Sequence, residues 1–369
     1  MTDTQAFSPD WVSPPGDTIA DLLDEKGWEQ AALAERTGFT RKHVNDLIQG
    51  RAAISADAAQ RLATVLGSTI EFWLTREAHY RATLQRRGAE QELHRQASWL
   101  REIPVAWMVK RGWLEKSKTK GGQVAECLRY FGVASVDAWR QTCTSPLAAF
   151  RVSGKVKKYE GAVATWLRAA EIAASPIRCK AFDADRFRSA LSSLRALASE
   201  HDPVVFVPRL QDACAAHGVA VVFVPAPPGC PIHGATRWLT SDKALLALSL
   251  RYKSNDQLWF SFFHEVAHLL KHGKKLLFIE GLDGLDEEKE READRFASEL
   301  LIPAAQAQHL RSLRSAAEVE RAARELEIDP GIVVGRMQHE GWLPHSHLND
   351  LKVRYTWTSD ESVTHHGRL

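Results

Sequence analysis

Residues 260–272, FSFFHEVAHLLKH, constrain the fold of this chain more than any other stretch. His264 and His268 lie four residues apart, so on an α-helix both rings project from the same face. Two imidazoles one turn apart can take adjacent corners of a tetrahedral Zn²⁺ site. Glu265 is then placed to accept a proton from water at the metal. Without a third ligand, the pattern fits an amphipathic helix with two hydrogen-bonded histidines equally well.

The stretch EREADRFASELLIP, residues 290–303, offers that third ligand. Glu290 and Asp294 share one face of a predicted helix that ends before Pro303. A glutamate can complete the ligand set, and an aspartate one turn later can accept the N–H of a ligating histidine. His272 continues the line of histidines, but three histidines along a straight helix cannot converge on one ion. We therefore predict that His272 is not a ligand.

These stretches, together with LSLRYKSNDQLW before the histidines and GIVVGRMQHEGWLP at 331–344, resemble the ImmA/IrrE metallopeptidase family. The resemblance runs from about residue 200. It implies a gluzincin-like zinc peptidase that cleaves a regulatory protein, often a repressor. The implied ligands are His264, His268 and Glu290. Glu265 is the implied general base, and Asp294 is the implied hydrogen-bond acceptor of a ligating histidine.

The resemblance also implies that a sheet edge receives the substrate as an added strand, and segment 234–251 is the expected source of that edge. The residue that stabilises the oxyanion stays open among His233, Arg237 and Tyr252.

Residues 27–55 have the pattern of two short helices joined by a tight turn. Gly38 suits the turn, Thr40 suits the N-cap of the second helix, and Gly50 suits its C-terminal end. Val44 and Leu47 define an apolar face of that helix. The opposite face carries side-chain types that hold phosphates or read base edges, which a purely structural helical bundle would simply expose to water.

From PPGDTIADLL at residue 14 to EFWLTREAHY ending at residue 80, the chain resembles the XRE-type helix–turn–helix of the HigA antitoxins. This implies a homodimer on double-stranded operator DNA, with recognition helix Thr40–Gln49. Residues 1–85 hold 8 Lys/Arg against 12 Asp/Glu, so a basic surface has to be local. Asp46 needs a cytosine or a salt-bridge partner. The expected DNA contacts are Gln30, Thr40, Arg41, Lys42, His43, Asn45 and Gln49.

The chain predicts an α+β protein that is mostly helical. Strands are expected at VVFVP (204–208) and VAVVFVP (219–225), because these β-branched runs lie between prolines and glycines. ALLALSLRY (244–252) is expected to be a third strand or a strand that leads into a helix. Tryptophans 99, 107, 113, 139 and 166 are expected in helical cores. The predicted domains are a helix–turn–helix domain at 1–85, a helical connecting or sensory domain at 86–200, a peptidase domain with a small sheet at 201–354, and a tail at 355–369.

Composition points to the cytoplasm, near the nucleoid. Five scattered cysteines without a CxxC pair suit a reducing compartment. The first residues lack the pattern of a signal peptide, and no apolar stretch is long enough to span a bilayer, so a membrane is not expected. The net charge of +2 identifies no partner.

Two functions remain open at this stage. One is a DNA-binding transcription regulator with a zinc endopeptidase domain, possibly latent until activated, whose substrate is itself, a repressor or a toxin partner. Self-cleavage would fall at KSKTKGG (116–122) or RVSGKVKKYEG (151–161). The other is a HigA-like antitoxin or autorepressor whose peptidase-like domain binds a toxin or a signal without cutting.

Overall fold

The computed structural model describes residues 13–144, 147, 159–273, 277–280 and 287–357. The chain divides into two compact units, Met1–Arg95 and Gln96–Leu369. Within the described ranges, no helix has the length and apolar character needed to cross a membrane. Most of the expected linker at 151–161, part of the acidic loop at 280–290 and most of the tail lie outside the described residues.

The first unit consists of helices, as predicted. Gly38 has a φ of 71° and forms the turn between the second and third helices. Thr40 accepts a hydrogen bond from the backbone N–H of His43 at 3.1 Å, which caps the third helix. Gly50 follows that helix with a φ of 67°. The helices are α1 (Pro15–Lys26), α2 (Gln30–Thr37), α3 (Arg41–Ile48), α4 (Ala56–Leu66) and α5 (Ile70–Arg95).

The expected domain boundary at residue 85 falls inside α5, because that helix continues to Arg95. The segment after α5 is helical, as predicted, and Trp99, Trp139 and Trp166 are fully buried in it. Its helices are α6 (Val105–Lys110), α7 (Lys120–Phe131), α8 (Val136–Trp139), α9 (Glu160–Ala174), α10 (Ala184–Ala196) and α11 (Pro203–Ala215). This segment lies in the same compact unit as the C-terminal residues, so the division at residue 200 stays a prediction.

Helix α9 packs against the sheet of the second unit. The indole N–H of Trp166 donates to the carbonyl oxygen of Val224 at 2.8 Å. Lys243 donates to the carbonyl oxygens of Ala174 and Ile177, at 2.8 and 2.7 Å, and so binds the C-terminal end of α9. These buried contacts make the middle segment part of the scaffold of the C-terminal site.

The expected cleavage segment KSKTKGG does not separate the two units. It lies after Gln96, inside the second unit, and its last three residues begin α7. The backbone N–H of Ser117 donates to Oε1 of Gln123 at 3.0 Å, and Nε2 of Gln123 donates to the carbonyl oxygen of Glu115 at 3.3 Å. A cut there would therefore divide a folded unit.

A four-stranded mixed sheet has the order β1-β3-β2-β4. β1 is parallel to β3, while β2 is antiparallel to both β3 and β4. Helices α12 and α13 run beside one another next to this sheet, and three helices follow. The elements are β1 (Val219–Phe223), β2 (Gly234–Trp238), β3 (Ala244–Leu248), α12 (Asn255–Lys271), β4 (Phe278–Ile279), α13 (Glu287–Leu301), α14 (Ala304–Leu310), α15 (Ala316–Leu326) and α16 (Pro330–His339).

The strand predicted at 204–208 is wrong, because these residues form the start of α11. Asp202 accepts a hydrogen bond from the backbone N–H of Val204 at 2.9 Å, and Pro203 occupies the first turn, where a missing N–H costs nothing. Phe206 and Leu210 are buried four residues apart, whereas Val204 is 56% exposed. The capped start and the helical spacing outweigh the β-branched composition.

The edge strand expected within 234–251 is also wrong. β3 is paired on both sides, and β2 pairs with β4 through Ala235–Ile279 and Thr236–Phe278. In the part of the chain that the structure describes, β1 and β4 are the outer strands.

The core of the first unit generates a stability prediction. Trp73 is fully buried, and its indole N–H donates to the carbonyl oxygen of Gly67 at 3.2 Å. We expect Trp73→Ala to lower the free energy of unfolding of this unit by about 3–5 kcal/mol, because it leaves a large cavity. Hydrogen exchange at the backbone amides of α1 and α4 in the full chain measures the loss. The matched control is Phe72→Ala, since Phe72 is 41% exposed; equal effects of the two variants would contradict this account.

Candidate functional site

Three side chains from α12 and α13 converge at the buried face between these helices. The Nε2 atoms of His264 and His268 are 2.9 Å apart. Oε2 of Glu290 lies 3.1 Å from Nε2 of His264, and Oε1 lies 3.6 Å from Nε2 of His268. One ligand atom from each of the three lies within 4.8 Å of the other two. The structure thus brings together the three residues that the sequence predicted as ligands.

Nδ1 of His264, which faces away from the other predicted ligands, has Asp294 as its partner, as the sequence predicted. The Nδ1–H of His264 donates to Oδ1 of Asp294 at 2.9 Å. This bond selects the tautomer whose Nε2 lone pair points towards Glu290 and His268, and it fixes the plane of the ring. Asp294 can hold this position because it follows Glu290 by one helical turn on α13.

His268 has a corresponding pair of partners that the sequence did not reveal. Its Nδ1 lies 2.8 Å from Nδ1 of His272, and Nε2 of His272 lies 3.1 Å from Oε2 of Glu292. When His268 presents a lone pair at Nε2, its Nδ1–H donates to His272, whose Nε2–H donates to Glu292. Phe278 of β4 stacks on the His268 ring, with centroids 4.0 Å apart. His272 therefore contacts a predicted ligand and is itself outside the converging set.

Glu265 lies in the most enclosed position of the site. Its side chain is fully buried, and neither carboxylate oxygen is in a well-formed hydrogen bond among the described residues. The hydroxyl of Thr236 on β2 lies near enough to oppose the rise in the pKa of Glu265 that burial causes. Gly234 of β2 lies directly against it, because a Cβ atom at position 234 would come within 2.9 Å of the Glu265 side chain. The close approach of β2 leaves the carboxylate with little space to turn.

Burial and hydrogen bonding move the pKa values of these groups in different directions. Burial lowers the pKa of His264, but Asp294 and Glu290 outweigh it and raise that pKa to about 11. Burial also lowers the pKa of His268. For Glu290, burial is opposed by hydrogen bonds from both histidines, which hold the pKa at about 2. Burial raises the pKa of Glu265 well above its usual range.

The donor set fits a divalent transition metal. Two imidazole nitrogens and one carboxylate form the protein ligand set found in catalytic zinc sites, which leave a further position for water or substrate. Each predicted histidine ligand has its second nitrogen engaged by a protein group, as metal-binding histidines generally do. The fully buried Glu265 carboxylate, without a well-formed hydrogen bond among the described residues, is costly unless a proton or a polar ligand reaches it.

The three candidates for stabilising the oxyanion lie in different places. Arg237 forms an ion pair with Glu171 of α9. Gly234 faces Glu265, and a residue three positions further along β2 points to the other face of the sheet, so Arg237 points away from Glu265. His233 and Tyr252 instead contact each other, with ring centroids 4.8 Å apart, and both line a cavity beside α12. The pairing of Arg237 removes it from the candidates.

The first unit presents a separate candidate surface on α3. Arg41, Lys42 and Gln49 are exposed, Asn45 is half-buried, and Val44 and Leu47 are buried on the opposite face. His43 is half-buried against Phe39, with ring centroids 4.8 Å apart. Exposed Gln30 begins α2, and exposed Thr40 caps α3.

Asp46 has the salt-bridge partner that the sequence required. Oδ1 of Asp46 lies 2.9 Å from Nε of Arg51. The pair neutralises the acidic charge on α3, so an approaching phosphate meets less repulsion from this helix.

Comparison with known proteins gives one family match in each of the two units. Residues 19–73 match the helix-turn-helix family, and residues 214–337 match the family described as the IrrE N-terminal-like domain. Residues 19–73 form a helix-turn-helix domain, and residues 214–337 form an IrrE N-terminal-like domain. These domains imply DNA binding and a metallopeptidase-like fold.

Among solved structures, an addiction module antidote protein of a HigA family from Coxiella burnetii is similar at 25% identity. The match covers 23% of this chain and 92% of that chain, with a TM-score of 0.21. No curated protein matches this chain.

The His272–Glu292 contact generates a prediction for the IrrE N-terminal-like domain. We expect His272→Ala to weaken zinc affinity by roughly 10- to 100-fold, because His268 loses the group that orients its ring. Competition with a chromophoric chelator measures the affinity without requiring activity. The matched control is His309→Ala, since His309 is exposed on α14. Unchanged affinity in His272→Ala would show that the contact does not position His268.

Proposed function

We propose that this protein is a DNA-binding transcription regulator whose IrrE N-terminal-like domain is a zinc-dependent endopeptidase. The observation that carries the proposal is the convergence of His264, His268 and Glu290 beside the fully buried Glu265. Cleavage of a regulatory protein would relieve repression at the DNA bound by the helix-turn-helix domain. Candidate substrates are the chain itself and proteins encoded beside it.

Each side chain of the site has a separate task in this proposal. His264, His268 and Glu290 would hold the ion, while Asp294 and the His272–Glu292 pair orient the two imidazoles. When bound, zinc supplies the Lewis acid that activates a water and polarises the scissile carbonyl.

Glu265 is the general base. It receives the proton of the attacking water on a carboxylate oxygen and can pass it to the leaving amine. Gly234 supports this task, because its missing Cβ lets β2 hold the Glu265 carboxylate in one place.

The surface of α3 supports the DNA-binding half of the proposal. Exposed Arg41, Lys42 and Gln49 share the outer side of a capped helix, which is how recognition helices present themselves to the major groove. Thr40 and Gln30 begin their respective helices, where backbone N–H groups point outwards and favour phosphate. A homodimer on an inverted repeat would place two such helices in successive grooves.

The first test concerns Glu265. We expect Glu265→Gln to keep stoichiometric zinc while the rate of cleavage falls by roughly 10²- to 10⁴-fold, because an amide cannot take the proton. Purified chain is mixed with the products of the adjacent genes, with and without DNA or chelator, and fragments are identified by mass spectrometry. Stable stoichiometric complexes without chelator-sensitive fragments would favour the non-proteolytic antitoxin instead.

The second test concerns α3. We expect Lys42→Ala to weaken binding to DNA from upstream of the protein's own reading frame and to reduce the slope of log affinity against log salt by about 1, because one phosphate contact is lost. Fluorescence anisotropy at several salt concentrations measures both quantities. Lys26→Ala is the control, since Lys26 is exposed at the end of α1. Equal effects of the two changes would remove α3 as the DNA-facing helix.

A further inference from the structure

A cavity of about 570 Å³ lies one helical turn from the predicted metal ligands. Phe260 lines it from α12 and precedes His264 by one turn, with ring centroids 6.2 Å apart. Ser298 lines it from α13 and follows Asp294 by one turn. Glu280, at the end of β4, completes this side of the wall. The two helices that carry the ligands therefore also carry the cavity, so a peptide at the metal centre would reach it with a neighbouring side chain.

Arg336 of α16 is the distinctive group in this cavity. Its side chain is only 17% exposed, and its Nη2 lies 2.9 Å from Oε1 of Glu340. Nε and Nη1 are buried and have no acceptor among the described residues. Buried guanidinium donors without acceptors are costly. Because both atoms are enclosed by protein, a ligand in the cavity gains them only when the guanidinium turns towards it, and the missing acceptors favour that turn.

The other charged groups of the cavity each have at least one protein partner, although Oδ1 of Asp256 and Oε2 of Glu280 are buried without an additional one among the described residues. Nζ of Lys352 donates to Oδ2 of Asp256 at 2.6 Å and to Oε1 of Gln338 at 2.8 Å. Glu280 lies 3.5 Å from Nδ1 of His233. Arg354 is exposed and donates to the carbonyl oxygen of Tyr252 at 3.4 Å. Among the described residues that line the cavity, Arg336 is thus the buried cation whose N–H groups are not all hydrogen-bonded.

The packing of α16 against α12 holds Arg336 in place. At Gly335 a Cβ atom would come within 2.6 Å of Asp256, so the helices approach closely at the residue before the arginine. The cavity also has an apolar wall, formed by Phe260, Leu301, Ile302 and Ile332. An aliphatic stem can lie along this wall while a terminal carboxylate meets the guanidinium.

We propose that this cavity is a specificity pocket for an acidic side chain, glutamate in particular, located beside the scissile bond of the peptide substrate, with Arg336 as its anchor. The proposal that the bound glutamate belongs to a peptide substrate rests on the proposed peptidase function. The proposal that the cavity binds a carboxylate does not depend on that function. A carboxylate could also come from the end of a peptide chain, and the probes below distinguish the two sources.

The test uses the full chain carrying Glu265→Gln and loaded with zinc, so that binding is measured without turnover. The probes are the capped tripeptides Ac-Ala-Glu-Ala-NH₂ and Ac-Ala-Gln-Ala-NH₂, and Ac-Ala-Ala-Ala with a free carboxyl end. Calorimetry at low salt gives each Kd. We expect the glutamate probe to bind roughly tenfold more tightly than the other two, because a charged acceptor pairs with the guanidinium of Arg336.

Additional substitutions identify the anchor. In the same background, Arg336→Gln should abolish the preference for glutamate over glutamine, and Arg336→Lys should reduce it, because the charge stays but the planar donors are lost. Arg354→Gln, which removes an exposed cation lining the same cavity, should leave most of the preference intact. Circular dichroism confirms that each variant is folded. If Arg336→Gln does not fold, the glutamate preferences of Arg336→Lys and Arg354→Gln are compared instead. A larger loss in Arg336→Lys identifies Arg336 as the anchor.

Three results would overturn the proposal. These are equal affinities for the glutamate and glutamine probes, tighter binding of the free carboxyl end, and a preference that survives both changes at Arg336. A glutamate preference that depends on Arg336, found in a protein that cleaves no partner, would uphold the carboxylate site and remove only the peptidase function. The two failures are therefore distinguishable.

Discussion

The packing of α13 against α12 is the contact on which the C-terminal site depends. His264 and His268 are almost completely buried, and polar rings in such a place are costly without partners. Within α12 and its C-cap, the hydrogen-bonding neighbours of these rings among the described residues are each other and His272, with no carboxylate. Glu290, Glu292 and Asp294 all come from α13, and each contacts a histidine of α12. The charge distribution of the site is therefore a property of the helix pair.

The sheet limits the same site from the other side. β2 approaches α12 closely enough that Gly234 contacts Glu265, and β4 places Phe278 on the ring of His268. Because β2 is held between β3 and β4, and α9 packs behind the sheet, residues far from the predicted metal ligands still determine where Glu265 lies. The middle helices contribute to the site in this indirect way.

Regular spacing made part of this site predictable from the sequence. The intervals between His264 and His268, and between Glu290 and Asp294, place each pair on one helical face, and the capping residues around Gly38 and Thr40 marked the helix–turn–helix. The contacts of Glu292 and Phe278 carry no such signal, because they depend on how α13 and β4 meet α12. The misassigned strand at 204–208 had the composition of a strand, and only the cap at Asp202 and the spacing of buried residues distinguish it from one.

The two glutamates at the centre differ in environment, and this difference assigns their tasks. The Glu290 side chain is 34% exposed, and two imidazoles hold its pKa at about 2, so it remains a carboxylate suited to binding a cation. Glu265 is fully buried against Gly234, and burial raises its pKa, so its carboxyl group has a greater affinity for protons. A cation held by the neighbouring residues would oppose that rise and lower the pKa of Glu265. Glu290 thus has the environment of a ligand, and Glu265 that of a base whose readiness depends on the ion beside it.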